Sequence, residues 1–88
     1  MSKTLKNIEW SGVVGEPMYF RFSHAPLATT ESHAGGEVNV DLDANDNVIG
    51  VELLSGDAED FSVFWKIAEA RGLELTGMHL APRLVART

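Results

Sequence analysis

Cysteine is absent from these 88 residues. That excludes a disulfide framework and thiolate metal ligation, so a domain of this size must be held by packing or by self-association. Long apolar runs are also missing: no segment approaches the ~20 apolar residues of a membrane helix. "MSKTLKNIEW" has lysines without the apolar stretch of a secretory signal, which makes a cytoplasmic location the expectation. Basic residues are scarce in the middle of the chain. Between Arg21 and Lys66 there is no lysine or arginine, while Glu31, Glu37, Asp41, Asp43, Asp46, Glu52, Asp57, Glu59 and Asp60 are all acidic, and the net charge is −6. Such a stretch repels phosphate and favours a basic protein partner, because charge complementarity mainly speeds encounter and suppresses wrong pairings. Nucleic acid is not an expected partner, since only Arg83 and Arg87 of the tail offer a cationic footprint.

Chemical motifs are equally thin. The chain has no glycine-rich phosphate loop, no nucleophile elbow and no H-E-x-x-H spacing. His24, His33 and His79 stand far apart, and zinc requires three or four converging ligands. Asp41 with Asp43, or Glu31 with Glu37, could pair as acid and base only in a cleft that separates their pKa values. A hairpin tip is solvated, so Asp41 and Asp43 are expected to keep an edge hairpin soluble. No catalytic residue, metal or cofactor is expected.

What is present is a folding pattern. Apolar residues make up 44% of the chain and charged ones 23%, the mixture of a folded domain. "NIEWS" puts Ile8 and Trp10 on one side. "MYFRFS" puts Met18, Phe20 and Phe22 on one side and Tyr19 and Arg21 on the other, as strands do. "LATTES" is a weaker, polar strand suited to an edge, and His33 to Gly36 reads as a turn.

"VNVDLDANDNVIGVELL", residues 38–54, poses the sharpest question. Asp41, Asp43, Asn45, Asn47 and Glu52 fall at positions 1, 3, 5, 7 and 12 of an EF-hand loop. The flanks argue otherwise: Val38, Val40 and Leu42 alternate before the acidic cluster, and Ile49, Val51 and Leu53 after it. An EF-hand needs helices there and glycine at position 6, where Asp46 stands. Asn45, Asp46 and Asn47 tolerate left-handed backbone and suit a hairpin turn.

A strand ending in V-x-V-D-x-D, a polar turn and a return strand V-I-G-V-E-L-L, preceded by the aromatic strand "MYFRFS", resembles a widespread family of small bacterial, archaeal and phage proteins classed as a domain of unknown function. The resemblance covers residues 7–54; in that family glycine usually stands where this chain has Asp46. It implies a compact β-rich domain without catalytic residues, and a binding or antidote-like role.

Residues 57–72, "DAEDFSVFWKIAEARG", form the clearest helix. Asp57 is placed to cap it, Glu59 and Asp60 favour its first turn, Arg71 its last, and Gly72 supplies the stop. Its apolar arc spans roughly 220°, more than one sheet requires. Either the tail residues Leu73, Leu75, Met78, Leu80, Leu84 and Val85 cover the surplus, or Phe61, Phe64 and Trp65 meet a partner or a second copy.

These readings combine into a single α+β domain: an antiparallel β-meander of four to five strands over residues 1–56, one helix over 57–72 packed on a face, and a tail or edge strand over 73–88. The expected function is a non-enzymatic protein-binding module, antitoxin-like or a phage or prophage accessory factor, and homodimeric. Asp41, Asp43 and Asp46 would steer a basic partner, while Phe61, Phe64 and Trp65 would supply buried contact. The alternatives are a structural homo-oligomer and a calcium-dependent binding domain.

Overall fold

A computed structural model describes residues 3–75. Five strands, β1 (Asn7–Trp10), β2 (Met18–Arg21), β3 (Thr29–His33), β4 (Val38–Leu42) and β5 (Val48–Leu53), form one antiparallel sheet in the order β1-β2-β5-β4-β3. Helix α1 (Ala58–Arg71) follows β5. The expected α+β class, with a five-stranded antiparallel sheet and one helix, is therefore present. Its chain order is two hairpin runs, β1-β2 and β3-β4-β5, joined where β5 lies against β2. One consequence corrects the sequence reading: β4 and β5 are interior strands, so Asp41 does not guard an edge. The edges are β1 and β3.

Strand alternation sorts side chains onto two faces. Met18, Phe20 and Phe22 from β2 and the residue beyond it, with Val38, Val40, Leu42, Val51 and Leu53, are buried beneath α1. The helix inserts Phe61, Phe64 and Ile67 into this layer. Phe20 is the meeting point: its ring lies 4.6 Å from that of Phe64 and 5.9 Å, edge-on, from that of Phe61. Burying each such ring stabilises the fold by about 1.5–3 kcal/mol. A five-stranded sheet is roughly 20 Å wide and a helix about 10 Å, so α1 covers the centre and leaves the flanks partly wet. Ile8 and Trp10 on β1 accordingly remain only partly buried, joined there by Leu5, Leu73 and Leu75.

This packing removes two of the three aromatic residues from the expected contact surface. Phe61 and Phe64 are fully enclosed in the core and offer nothing to a partner, because their positions three apart both point at the sheet. Trp65 alone of the three stays at the surface, 38% exposed. The tail residues Met78, Leu80, Leu84 and Val85, and the arginines beyond them, lie outside the described residues. Leu73 and Leu75 do pack against the core, and Glu74 pairs with the N-terminal segment: Leu5 donates to its carbonyl at 2.8 Å and its own N–H reaches Lys3 O at 2.7 Å.

Both helix ends are satisfied as their residues foretell. Asp57 accepts the Asp60 N–H at 2.8 Å. Gly72 adopts φ 68°, its N–H reaches Glu69 O, and Leu73 donates to Ala68 O, the paired bonds of a Schellman stop. Lys3 Nζ adds a bond to Arg71 O at 2.9 Å.

The stretch Asp43–Asn47 is a hairpin connection between two paired strands. Asp46 donates to Asp43 O at 3.1 Å, Asp43 donates to Asn47 O at 2.9 Å, and Asp46 sits at φ 64°. That is a β-turn followed by one left-handed residue. The ladder also slips here: Asp41 faces Gly50 and Leu42 faces Val48, so Ile49 has no opposite residue on β4. The bulge carries Val48 into the core and turns the Ile49 carbonyl to accept the Phe22 and Ser23 N–H groups at 2.8 and 3.0 Å. Since aspartate tolerates the left-handed region and glycine adopts it freely, Asp46→Gly should stabilise the domain by about 0.5–1 kcal/mol. A higher urea midpoint with an unchanged slope is the expected readout; a lower midpoint contradicts this turn geometry.

Candidate binding surface on the open face of the sheet

The face of the sheet opposite α1 is covered by no other element among the described residues. Register defines two rows of side chains across it. One runs Glu9, Tyr19, Glu52, Asn39, Ser32; the other runs Asn7, Arg21, Gly50, Asp41, Thr30. Every one of these residues but Gly50 has a polar side chain, and most are tied to a neighbour.

Gly50 is the key to the arrangement. A methyl group there would overlap the ring of Tyr19, which lies across the bare backbone of β5. From that position Tyr19 Oη donates to Asp41 Oδ2 at 2.8 Å, spanning β2 to β4. Thr30 Oγ1 on β3 donates to the other oxygen, Oδ1, at 2.7 Å. Arg21 lies over the Tyr19 ring, 5.0 Å from its centroid, and its Nε donates to Glu9 Oε2 at 2.7 Å. Ser32 Oγ donates to Asn39 Oδ1, whose amide donates onward to Gly36 O. A chain of polar contacts thus crosses all five strands.

Electrostatics follow from these contacts. The hydrogen bond from Arg21 holds the Glu9 carboxyl below its usual range. Burial, and after it the hydrogen bond and charge of Asp41, push the Tyr19 phenol well above its usual value. Two backbone N–H groups, of Asn47 and Asn45, donate to Asp43 Oδ1 at 3.0 and 2.8 Å and hold its carboxyl low. Of the strand residues on this face, Glu9, Asp41 and Glu52 are acidic and Arg21 alone is basic, so the surface is net negative.

The residues expected to act together are thus dispersed. Asp41 sits inside the open-face network, Asp43 closes the turn, and Asp46 stands exposed at its tip. Glu52 pairs across to Tyr19 and Asn39, up the return strand from that turn. Among the described residues, no group of three His, Asp or Glu is placed to hold a metal ion. Tyr19, Arg21, Glu9, Thr30 and Gly50 were not among the expected site residues. A glycine inside the β-branched run "VIGVELL" was the available signal, because such a residue marks close approach by another group.

No family model matches the chain, and neither a curated protein nor a solved structure matches it.

A second acidic feature lies elsewhere. A cleft of about 440 Å³ at the start of α1 is lined by Ala34, Glu37, Asp57, Glu59, Asp60, Ser62 and Val63. Three of its four carboxylates have structural duties. Asp57 caps the helix, Glu37 accepts from Ser55 Oγ at 3.0 Å, and buried Asp60 accepts the Ser55 N–H at 3.1 Å. Burial, then the neighbouring charges of Asp57 and Glu37, raise the Asp60 carboxyl above its usual range.

Two outcomes follow from the open-face geometry. Gly50→Ala should displace the Tyr19 ring and lower stability by about 1–2 kcal/mol, the worth of a hydrogen bond to a charged acceptor less the gain from replacing a strand glycine. In a Tyr19→Ala background the same change should be neutral or stabilising; equal losses in both backgrounds, read by denaturant unfolding, would contradict the close approach. Tyr19 is the sole tyrosine, so its ionisation can be followed by absorbance. Its folded pKa lies above its unfolded one, so the stability it contributes is full below about pH 10 and lost as pH rises through the folded value. The native titration midpoint should therefore exceed 10. Asp41→Ala should bring it part of the way back, since burial is the larger cause.

Proposed function

We propose that this chain is a non-enzymatic protein-binding module that receives a basic segment of a partner protein on the open face of its sheet. The observation that carries this reading is the surface itself. Glu9, Asp41 and Glu52 stand on rigid strands against one cation, Arg21, which Glu9 already engages. Held by Arg21, and by Tyr19 and Thr30, Glu9 and Asp41 keep their positions in the free protein, and a pre-ordered surface loses less freedom on association.

The resemblance of the β4-β5 hairpin to small domains of unknown function is in keeping with an antitoxin-like or phage accessory role. Steering by charge would then come from Asp46 at the tip and from Glu52, both free of ion pairs among the described residues.

A test needs only a generic cationic ligand. Titration of the labelled protein with a lysine-glycine peptide, followed by amide chemical shifts, should give saturable changes centred on Tyr19, Arg21, Asp41 and Glu52. Glu52→Lys and added salt should each weaken them severalfold. Changes centred instead on Glu37, Asp57 and Glu59, or no saturable change, would overturn the assignment to this face.

A further inference from the structure

On the far side of the molecule, the outer face of α1 carries three charges without an ion pair among the described residues, Glu59, Lys66 and Glu69, and one exposed aromatic ring. Lys66 is the lone cation between Arg21 and Arg71. Neither it nor Glu59 makes an ion pair or hydrogen bond among the described residues. The two lie seven residues apart, two helical turns or about 10.5 Å, on the same side of the helix. Beside them run Ala58, Ser62, Trp65 and Glu69, all classed with the exposed surface, at the 4-3-4 spacing of a helix-pairing seam. Trp65 stacks inward on Phe64, with centroids 5.7 Å apart, so its ring is fixed while its outer edge stays wet.

We propose that two copies of this chain associate through this face with their α1 helices antiparallel. The charges choose the direction. In a parallel pair Glu59 would lie beside Glu59 and Lys66 beside Lys66. In an antiparallel pair, a two-fold axis between these positions sets each Glu59 against the Lys66 of the other copy, so the same ion pair forms twice. In that register each Trp65 meets Ser62 of the second copy, a small residue that lets the ring settle against backbone. The energy comes from the two tryptophans, and the rim charges supply orientation more than strength.

A single helix face buries less than the ~1,200 Å² of a standard stable interface, so the association is weak, with Kd on the order of 0.1 mM. The open face of the sheet points the other way and stays available in the dimer, so this proposal stands or falls independently of the function proposed above.

Sedimentation equilibrium from about 10 µM to 1 mM tests it. The average mass should rise from 9.6 kDa toward twice that value with concentration. Glu59→Lys or Lys66→Glu alone turns both attractions into repulsions and should raise Kd by about tenfold or more. The double swap restores both pairs and should return Kd close to that of the wild type. Both positions are on the solvent side of the helix, so the circular dichroism of each variant should match the parent. A mass of 9.6 kDa throughout, a dimer indifferent to the single reversals, or a double swap no tighter than either single would each overturn the proposal.

Discussion

Phe20 meeting Phe61 and Phe64 is the contact from which the rest of the architecture follows. It is the place where the middle of the sheet and the middle of the helix share one buried cluster, with ring separations of 5.9 and 4.6 Å. Once Phe20 faces the helix, strand alternation leaves little freedom: Met18, Phe22, Val38, Val40 and Val51 face the helix with it, the bulge at Ile49 adds Val48, and Tyr19 and Arg21 must face away. A slip of one residue in β2 would exchange these sets and bury a guanidinium. The strength of that penalty is what makes the sheet one-sided.

One-sidedness then creates the candidate surface. A polar face with no helix on it would ordinarily be a scatter of solvated side chains. Here Gly50 leaves a strip of backbone bare at the centre of β5, and Tyr19 uses it to reach Asp41 two strands away. The ring seals the backbone of an interior strand that carries no side chain of its own, so a weak point in the sheet becomes a bridge across it. Arg21 and Thr30 attach to this bridge from opposite sides. Asp41 at the centre of this acidic surface is thus fixed in position by two neutral hydroxyl donors, which hold its carboxylate in place without a cation beside it.

Much of this was legible in the residue pattern. The strands, the helix limits at Asp57 and Gly72, and the reading of "DANDN" as a turn between paired strands all follow from local rules, because each rests on neighbours within a few positions. Strand order was not legible. That β5 sits between β2 and β4 depends on pairings as distant in sequence as Met18 with Leu53, and no local pattern encodes them. The candidate surface was missed for the same reason: Tyr19, Gly50 and Asp41 become neighbours only once that order is known. Phe61 and Phe64 were misassigned because a wheel counts apolar residues without saying where the sheet lies. Phe61 and Phe64 point at Phe20, whereas Trp65 sits on the shoulder between core and solvent.

The division of the aromatic residues between the two sides of the sheet is what everything else requires, and hydroxyl-radical footprinting reads it directly. In the native protein Tyr19 and Trp65 should be modified readily, while Phe20, Phe61 and Phe64 react only once the protein is unfolded. Modification of Phe61 and Phe64 as fast as Trp65 under native conditions would mean that the helix does not sit on Phe20, and the arrangement of both surfaces would fail with it.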